Sequence, residues 1–182
     1  MDIDYKTTKG MLKPEERQHL FDLARSFARV YGHHVIINIG VEMGGSMVCL
    51  RQGCPDADLY GIDIDLSTLP QDVNTALGSN TFLIEKDSLL YVPEVVLQHG
   101  LRVNLAFIDG LHYKKYVSND ALLSELVIPG GYIVFHDAYL WDNTDQQQPE
   151  VYPPIEDWLA EHSNQWEERP KVGTMRTFKR TE

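Results

Sequence analysis

The feature that most constrains the fold is a repeated alternation of short apolar runs with segments of helical spacing. The first run, Val35–Ile39 (VIINI), is rich in β-branched residues and has the composition of a strand buried on both faces. Four further runs follow along the chain: LYGIDI, TFLIE, VNLAFID and GYIVFHD. Because helix-like segments separate these runs, the pattern predicts a parallel sheet covered by helices on both faces. Those intervening helices are predicted at Gly45–Gln52, Leu69–Leu77, Val92–Gln98 and Val117–Leu126.

The two ends of the chain complete this prediction. Pro14 begins a helix for which Gly32 is the expected C-cap. Near the other end, PPIEDWLAEH predicts a helix, and QWEERP and GTMRTFKR predict two strands at an antiparallel edge. We therefore predict an α/β fold with a doubly wound, mostly parallel seven-stranded sheet and an antiparallel C-terminal strand. Residues 1–182 are expected to form one domain, with the irregular segment 140–154 as a substrate lid.

Composition argues against several classes of partner. The chain has 27 acidic and 16 basic residues, a formal net charge of −11, which disfavours nucleic acids and anionic membranes. No apolar run is long enough to span a bilayer, and no secretory signal is visible at the N-terminus. Only two cysteines occur, without a metal-binding pattern. We expect a cytoplasmic protein with neither a nucleic-acid nor a membrane partner; the oligomeric state stays open, a homo-oligomer included.

A glycine-rich loop, NIGVEMGGS, follows the first strand and precedes a helix. Its spacing differs from the dinucleotide fingerprint G-x-G-x-x-G, and no Gly-Lys-Ser/Thr follows it. Glu42 within the loop would also repel a phosphate. The spacing suits a zwitterionic amino acid instead, with helix-end amides meeting its carboxylate and with Asn38, an acid or a hydroxyl receiving its ammonium group. Glycine at position 44 is expected to let a ligand approach the backbone closely and to permit an unusual φ.

Polar residues at the ends of the next two strands extend this interpretation. Asp63 lies about twenty residues beyond the loop, where a carboxylate can bind the two hydroxyls of a ribose. Asp87 and Ser88 follow the third strand and can contact the edge of an adenine. A nucleoside without phosphates, joined to an amino acid, describes S-adenosylmethionine. The alternative for Asp63 is simple polarity at the end of a strand.

A second polar cluster follows the fourth and fifth strands. Because ligands bind at the carboxyl ends of parallel strands, Asp109, His112, His136 and Asp137 are expected to converge on one cleft. Carboxylates with an imidazole can bind a divalent cation such as Mg²⁺ or Mn²⁺. The alternatives are a plain turn at Asp109 and a solvated loop histidine at His112.

Taken together, these motifs resemble those of class I S-adenosylmethionine-dependent methyltransferases, which have a Rossmann-like fold. The similarity is greatest to the branch with macrocin-type O-methyltransferases, cephalosporin-hydroxylase-like proteins and, further off, catechol O-methyltransferase. The resemblance implies that Gly40 and Gly44 shape the loop, and that Ile64 lies beside the adenine. The cofactor-binding residues are then Asn38, Gly40, Gly44, Ser46, Asp63, Ile64, Asp87, Ser88 and Asp109.

The same resemblance implies a reaction and a metal. In the Asp-Gly-x-His segment, His112 would act as general base beside Asp109, and the metal ligands would be Asp109, His136 and Asp137. Two positions depart from the family pattern: Asn38 replaces an acid, and Ala138 replaces a usual ligand. The expected function is methyl transfer from S-adenosylmethionine to a hydroxyl of a small molecule. The alternatives are a cephalosporin-hydroxylase-like metal enzyme and a non-catalytic S-adenosylmethionine-binding module.

Overall fold

The computed structural model describes residues 3–98, 100–139 and 150–182. Its sheet has seven strands in the order β3-β2-β1-β4-β5-β7-β6. The strands are β1 (Val35–Ile39), β2 (Asp58–Asp63), β3 (Thr81–Glu85), β4 (Val103–Ile108), β5 (Val127–Phe135), β6 (Trp166–Glu168) and β7 (Arg176–Arg180). The first five are parallel, and β7 runs antiparallel to both of its neighbours. The predicted fold class is confirmed.

Helices cover both faces of this sheet. They are α1 (Pro14–Phe27), α2 (Gly45–Gly53), α3 (Gln71–Leu77), α4 (Ser88–Leu97), α5 (Lys114–Asp120) and α6 (Tyr152–His162). Alternate side chains of β1 enter different cores: Ile36 packs with α1, α2 and α3, whereas Ile37 packs with α4, α5 and α6. Every residue of β1 is buried, as its β-branched composition predicts.

Several predicted helix boundaries are wrong. The first helix ends at Phe27, five residues before Gly32, because Val30 and Tyr31 have no core to pack against and are exposed. Helix α4 begins at Ser88, before the predicted Val92, because the Asp87 side chain accepts a hydrogen bond from the Leu89 amide and caps the helix.

The helix predicted at Val117–Leu126 is in fact α5 followed by a 3₁₀ helix, Ala121–Leu126. The predicted lid falls mainly on residues 140–149, which lie outside the described residues. Of its remainder, Tyr152 begins α6, and the Glu150 amide donates a hydrogen bond to the His112 carbonyl. Within the described ranges, no helix is long and apolar enough to cross a membrane.

Candidate active site

A cavity of about 290 Å³ lies at the carboxyl ends of β1, β2, β4 and β5. β1 lies between β2 and β4, so the strand order reverses there, and this is where open α/β sheets bind ligands. The cavity wall includes most of the predicted site residues: Gly40, Ser46, Asp63, Ile64, Asp87, Ser88, Asp109, His112, His136 and Asp137. Asn38 and Gly44 are not among the lining residues.

The glycine loop is held by the strand beside it. One oxygen of Asp63, Oδ2, accepts hydrogen bonds from the Val41 and Glu42 amides at 2.7 and 2.9 Å, and Oδ1 accepts one from the Asp65 amide at 3.1 Å. Gly40 has a φ of +86°, and a Cβ there would lie 2.0 Å from the Asp109 carbonyl oxygen. The loop therefore packs tightly on the end of β4, and the Asp63 carboxylate fixes its course.

Asn38 and Gly44 belong to the loop sequence but contact protein atoms and do not line the cavity. Asn38 is fully buried, and its Nδ2 donates a 2.6 Å hydrogen bond to the Gly40 carbonyl, whereas its Oδ1 has no hydrogen-bond partner among the described residues. A Cβ at Gly44, where φ is +79°, would approach the side chains of Leu69 and Val73 to 2.7 Å. The unusual φ expected at Gly44 is found, and close packing also requires a glycine there, whereas close approach of a ligand stays a prediction.

One end of the cavity lies beyond strands β2 and β3. It is formed by Ile64, Asp87 and Tyr116, the last of which the sequence pattern did not indicate. The Tyr116 hydroxyl donates a 3.3 Å hydrogen bond to Asp87 Oδ2, while Oδ1 caps α4. The Ile64 side chain is 58% exposed, although it borders a cavity. An exposed aliphatic side chain beside fixed polar groups can pack against the flat face of an aromatic ring.

At the other end of the cavity, beyond β4 and β5, the four predicted polar side chains converge. His136 Nδ1 lies 2.9 Å from Asp109 Oδ1 and 3.5 Å from Asp137 Oδ2, and His112 Nε2 lies 3.6 Å from Asp109 Oδ1. The His112 Nε2 atom is buried and has no hydrogen-bond partner among the described residues. His112 therefore lines the cavity with one ring nitrogen beside the Asp109 carboxylate.

The charges of this cluster shift its pKa values strongly. Burial would lower the pKa of His136, but the hydrogen bond and charge of Asp109, with the charges of Asp137 and Glu16, raise it to about 9. Burial would raise the pKa of Asp109, but the hydrogen bond from His136 and the neighbouring charges of His136 and His112 hold it below its ordinary value. His136 is thus a cation surrounded by carboxylates in the absence of other ions.

Glu16, on the first turn of α1, is a member of this cluster that the sequence analysis missed. Its side chain is 1% exposed, and its Oε2 lies 3.4 Å from His136 Nε2. Oε1 accepts hydrogen bonds from the Thr174 amide and hydroxyl at 2.7 and 2.9 Å, and Oε2 accepts one from the Lys13 amide at 2.8 Å. Burial would raise its pKa, but these hydrogen bonds and the charge of His136 lower it.

The chain segment before α1 also forms part of the wall. Gly10, Met11 and Leu12 line the cavity, and Met11 is 81% exposed at its mouth. The buried Arg17 guanidinium donates hydrogen bonds to the carbonyls of Leu12, Tyr5 and Gly10 at 3.0–3.1 Å and holds this segment in place. The sequence contains one signal for Glu16 and Arg17. They lie at positions that place them on the same face of α1 as the buried Leu20 and Ala24.

Three of the polar side chains beyond β4 and β5 form a ligand set that suits a divalent metal. One ligand atom each from Asp109, His136 and Asp137 lies within 4.8 Å of the others, and two of the three are carboxylate oxygens. The buried Ala138 side chain offers no ligand. These three residues can therefore hold a metal ion through two oxygens and one nitrogen.

The cavity as a whole is acidic. Its lining includes the carboxylates of Glu42, Asp63, Asp87, Asp109 and Asp137. The one lysine in the wall, Lys86, forms an ion pair with Glu94 outside it. A ligand carrying several phosphates would meet repulsion along most of this wall.

A doubly wound sheet with this strand order and a cavity at its switch point is the class I methyltransferase fold. A family model described as a methyltransferase domain matches residues 37–138, more than half of the chain. The chain belongs to this methyltransferase domain family.

Solved structures show the same fold at low identity. The O-methyltransferase TomG from Streptomyces achromogenes, solved in complex with SAM, is 16% identical with a TM-score of 0.72, covering 94% of this chain and 82% of TomG. The MycE methyltransferase of the mycinamycin pathway, solved with Mg, SAH and mycinamycin VI, is 18% identical with a TM-score of 0.69, covering 96% of this chain and 51% of MycE.

Curated relatives found by sequence carry a different acceptor in their names. The tRNA (guanine-N(7)-)-methyltransferase of Pseudoalteromonas atlantica is 26% identical in an alignment of 149 residues that covers 75% of this chain. The chain spans about 60% of the length of that relative.

Proposed function

We propose that this protein transfers a methyl group from S-adenosylmethionine to a hydroxyl oxygen of a small molecule, assisted by a divalent metal. The observation that carries the proposal is that one cavity joins the glycine loop to the cluster of Asp109, His112 and Asp137. The loop end suits a methyl donor, and the cluster suits the activation of an acceptor. The family assignment supports the first half of the proposal, and the cluster supports the second.

The cofactor half of the cavity fits a nucleoside joined to an amino acid. The start of α2 presents amides that have no partner within the helix, at Gly45 and Ser46, toward the cavity. Asp63 faces the same space and can accept hydrogen bonds from ribose hydroxyls, with Ile64 placed to pack on a purine. S-adenosylmethionine supplies an electrophilic methyl on its sulfonium, and this positive charge is favoured by the acidic wall.

Proton removal is assigned to His112. Its buried Nε2 has no hydrogen-bond partner among the described residues and lies 3.6 Å from Asp109 Oδ1. A histidine in this state can accept a proton from an acceptor hydroxyl, and the adjacent carboxylate stabilises the imidazolium that results. Asp109 thus serves both His112 and His136.

The metal is assigned to Asp109, His136 and Asp137. A divalent cation supplies Lewis acidity there, which lowers the pKa of a bound hydroxyl. Because the His112 nitrogen belongs to the same cluster, its proton acceptance and the metal's effect would act on one oxygen. The acceptor would therefore present a hydroxyl to this end of the cavity.

The electrostatics of the wall favour a small molecule over a nucleic acid. Five carboxylates line the cavity, and the chain carries a net charge of −11, both of which disfavour the phosphates of a tRNA. The apolar side chains of Met11 and Leu111, which are not assigned to the cofactor, border the same space. We infer an uncharged or cationic acceptor with an apolar body, such as a sugar-bearing natural product or a catechol-like ring.

Two measurements test the proposal. Calorimetric titration should show binding of S-adenosylmethionine, and labelled methyl transfer should then appear with at least one member of a hydroxyl-acceptor panel that also includes tRNA. Methylation of tRNA alone would replace the proposed acceptor. Binding without transfer to any acceptor would favour a binding module, and oxidation of an acceptor would favour a cephalosporin-hydroxylase-like enzyme.

A further inference from the structure

We propose that Glu16 fixes the His136 imidazole so that its Nδ1 is a metal ligand, and that this nitrogen makes the site prefer a first-row transition-metal ion over Mg²⁺. The inference rests on the proposed function for the presence of a metal at this cluster. It adds a positioning residue from a distant helix and a class of metal. Both additions can be measured by metal binding alone, without any acceptor.

The first step is the geometry around His136 Nδ1. This atom lies 2.9 Å from Asp109 Oδ1 and 3.5 Å from Asp137 Oδ2. Neighbouring ligands of a six-coordinate ion with bonds of about 2.1 Å lie roughly 3 Å apart. The two distances from Nδ1 are therefore close to the spacing of neighbouring metal ligands, and all three atoms lie within 4.8 Å of one another.

The second step is the opposite nitrogen. His136 Nε2 faces Glu16 Oε2 at 3.4 Å, and the Glu16 carboxylate is itself held by Thr174 and Lys13. A metal-binding histidine commonly donates its other ring N–H to a carboxylate, which fixes the tautomer and the ring orientation. With the proton on Nε2, the lone pair of Nδ1 points toward Asp109 and Asp137.

The third step concerns which metal this set selects. Mg²⁺ binds oxygen ligands almost exclusively, whereas imidazole nitrogen suits ions such as Co²⁺, Zn²⁺ and Fe²⁺. A site with oxygen at all three positions would lack this preference. His136→Asp supplies such a site in the same protein and is therefore the matched comparison.

The experiment titrates EDTA-treated protein with Co²⁺ and with Mg²⁺ by calorimetry. The wild-type ratio of Co²⁺ to Mg²⁺ affinity should exceed that of His136→Asp by at least roughly tenfold. Glu16→Ala should lose roughly 10- to 100-fold in Co²⁺ affinity. Glu15→Ala, at the exposed neighbouring position of the same helix turn, should bind Co²⁺ like wild type.

Several results would overturn the inference. These are an unchanged metal ratio in His136→Asp, wild-type Co²⁺ affinity in a folded Glu16→Ala protein, or no Co²⁺ binding by wild type. The last result, with methyl transfer intact, would leave the proposed reaction standing without this metal.

A measurement on the wild-type protein covers the case in which Glu16→Ala does not fold. Nitrogen-15 NMR of the Zn²⁺-loaded protein should show His136 protonated on Nε2 and shifted at Nδ1. A proton on Nδ1 in that sample would overturn the inference without any variant.

Discussion

The two ends of the cavity are held together in different ways. At the cofactor end, a side chain fixes nearby backbone: Asp63 binds the amides of Val41 and Glu42, and Asp87 caps the helix that follows it. At the catalytic end, charged side chains bind one another across long stretches of chain, and Glu16 reaches His136 over 120 positions. The first end is a set of local motifs, whereas the second is an ion network that only the folded chain assembles.

This difference separates binding from chemistry. Substitutions at the cofactor end should change affinity for the methyl donor, whereas substitutions at the catalytic end should change turnover and leave donor affinity alone. A variant that changed both quantities equally would show that the cavity acts as one unit.

The largest expected effect is at the catalytic end. His112→Ala should lower turnover roughly 10²- to 10⁴-fold, the usual contribution of a general base. S-adenosylmethionine affinity, measured by calorimetry, should stay close to that of wild type, because other groups provide the cofactor half of the wall. The control is His33→Ala, which changes an exposed histidine outside the cavity wall. Full turnover in His112→Ala would remove this residue from the mechanism.

At the cofactor end, Asp63→Ala should weaken S-adenosylmethionine binding roughly 100-fold. The substitution removes the hydrogen bonds from the carboxylate to the ribose hydroxyls, each worth ~1.5–3 kcal/mol. It also leaves the Val41 and Glu42 amides without the acceptor that now holds them. Asp65→Ala, two positions away and exposed, is the control and should bind normally. Tight binding by a folded Asp63→Ala protein would contradict the role of this residue.

The contrast also explains what the sequence could predict. Strand β1 was predicted at Val35–Ile39 and is found there, because a β-branched run needs no distant partner to be identified. The convergence of Asp109, His112, His136 and Asp137 followed from the topology of parallel strands. Both predictions depend on rules that act within one strand or between neighbouring strands.

The missed residues depend on contacts between segments far apart in the chain. Local sequence indicates only that Glu16 is an acid in the first turn of a helix, where it accepts a hydrogen bond from the Lys13 amide. Its contact with His136 arises because α1 packs beside the ends of β4 and β5, which no local pattern encodes. The packing around Gly44 was missed for a similar reason, since Leu69 and Val73 belong to later segments.

A further effect, on stability and not on binding, is expected at Asp120, a buried residue of α5 that does not line the cavity. Its carboxyl is hydrogen-bonded to Asn119 and Ser88, and burial raises its pKa to about 6 although these hydrogen bonds lower it. The folded protein therefore holds this proton more tightly than the unfolded chain, so stability is lost as the pH rises from about 4 through 6. Asp120→Asn should remove this loss and gain roughly 3 kcal/mol over wild type between pH 4 and pH 8, the free energy of a shift of about two pKa units.

Urea denaturation of both proteins at several pH values measures the Asp120 effect. The control is Asp22→Asn, an acidic residue of α1 on the surface of the molecule, which should give a nearly constant difference from wild type. Parallel stability curves for wild type and Asp120→Asn would contradict a buried, protonated carboxyl at this position.

The smallest expected effect is a difference in stability between two glycine substitutions, and it tests whether Gly44 serves the fold or the ligand. Gly44→Ala places a side chain at a φ of +79°, and the added Cβ would meet Leu69 and Val73 at 2.7 Å. Gly130→Ala has a similar φ of +83° with open space around the new Cβ, so it isolates the backbone cost of ~1–2 kcal/mol. Crowding should make Gly44→Ala less stable than Gly130→Ala by a further ~1 kcal/mol in urea denaturation.

Because Gly44 does not line the cavity, the fraction of Gly44→Ala that folds should bind S-adenosylmethionine at near wild-type affinity. Equal stabilities with a selective loss of binding would restore the ligand-approach interpretation and place Gly44 with Asp63 at the cofactor end.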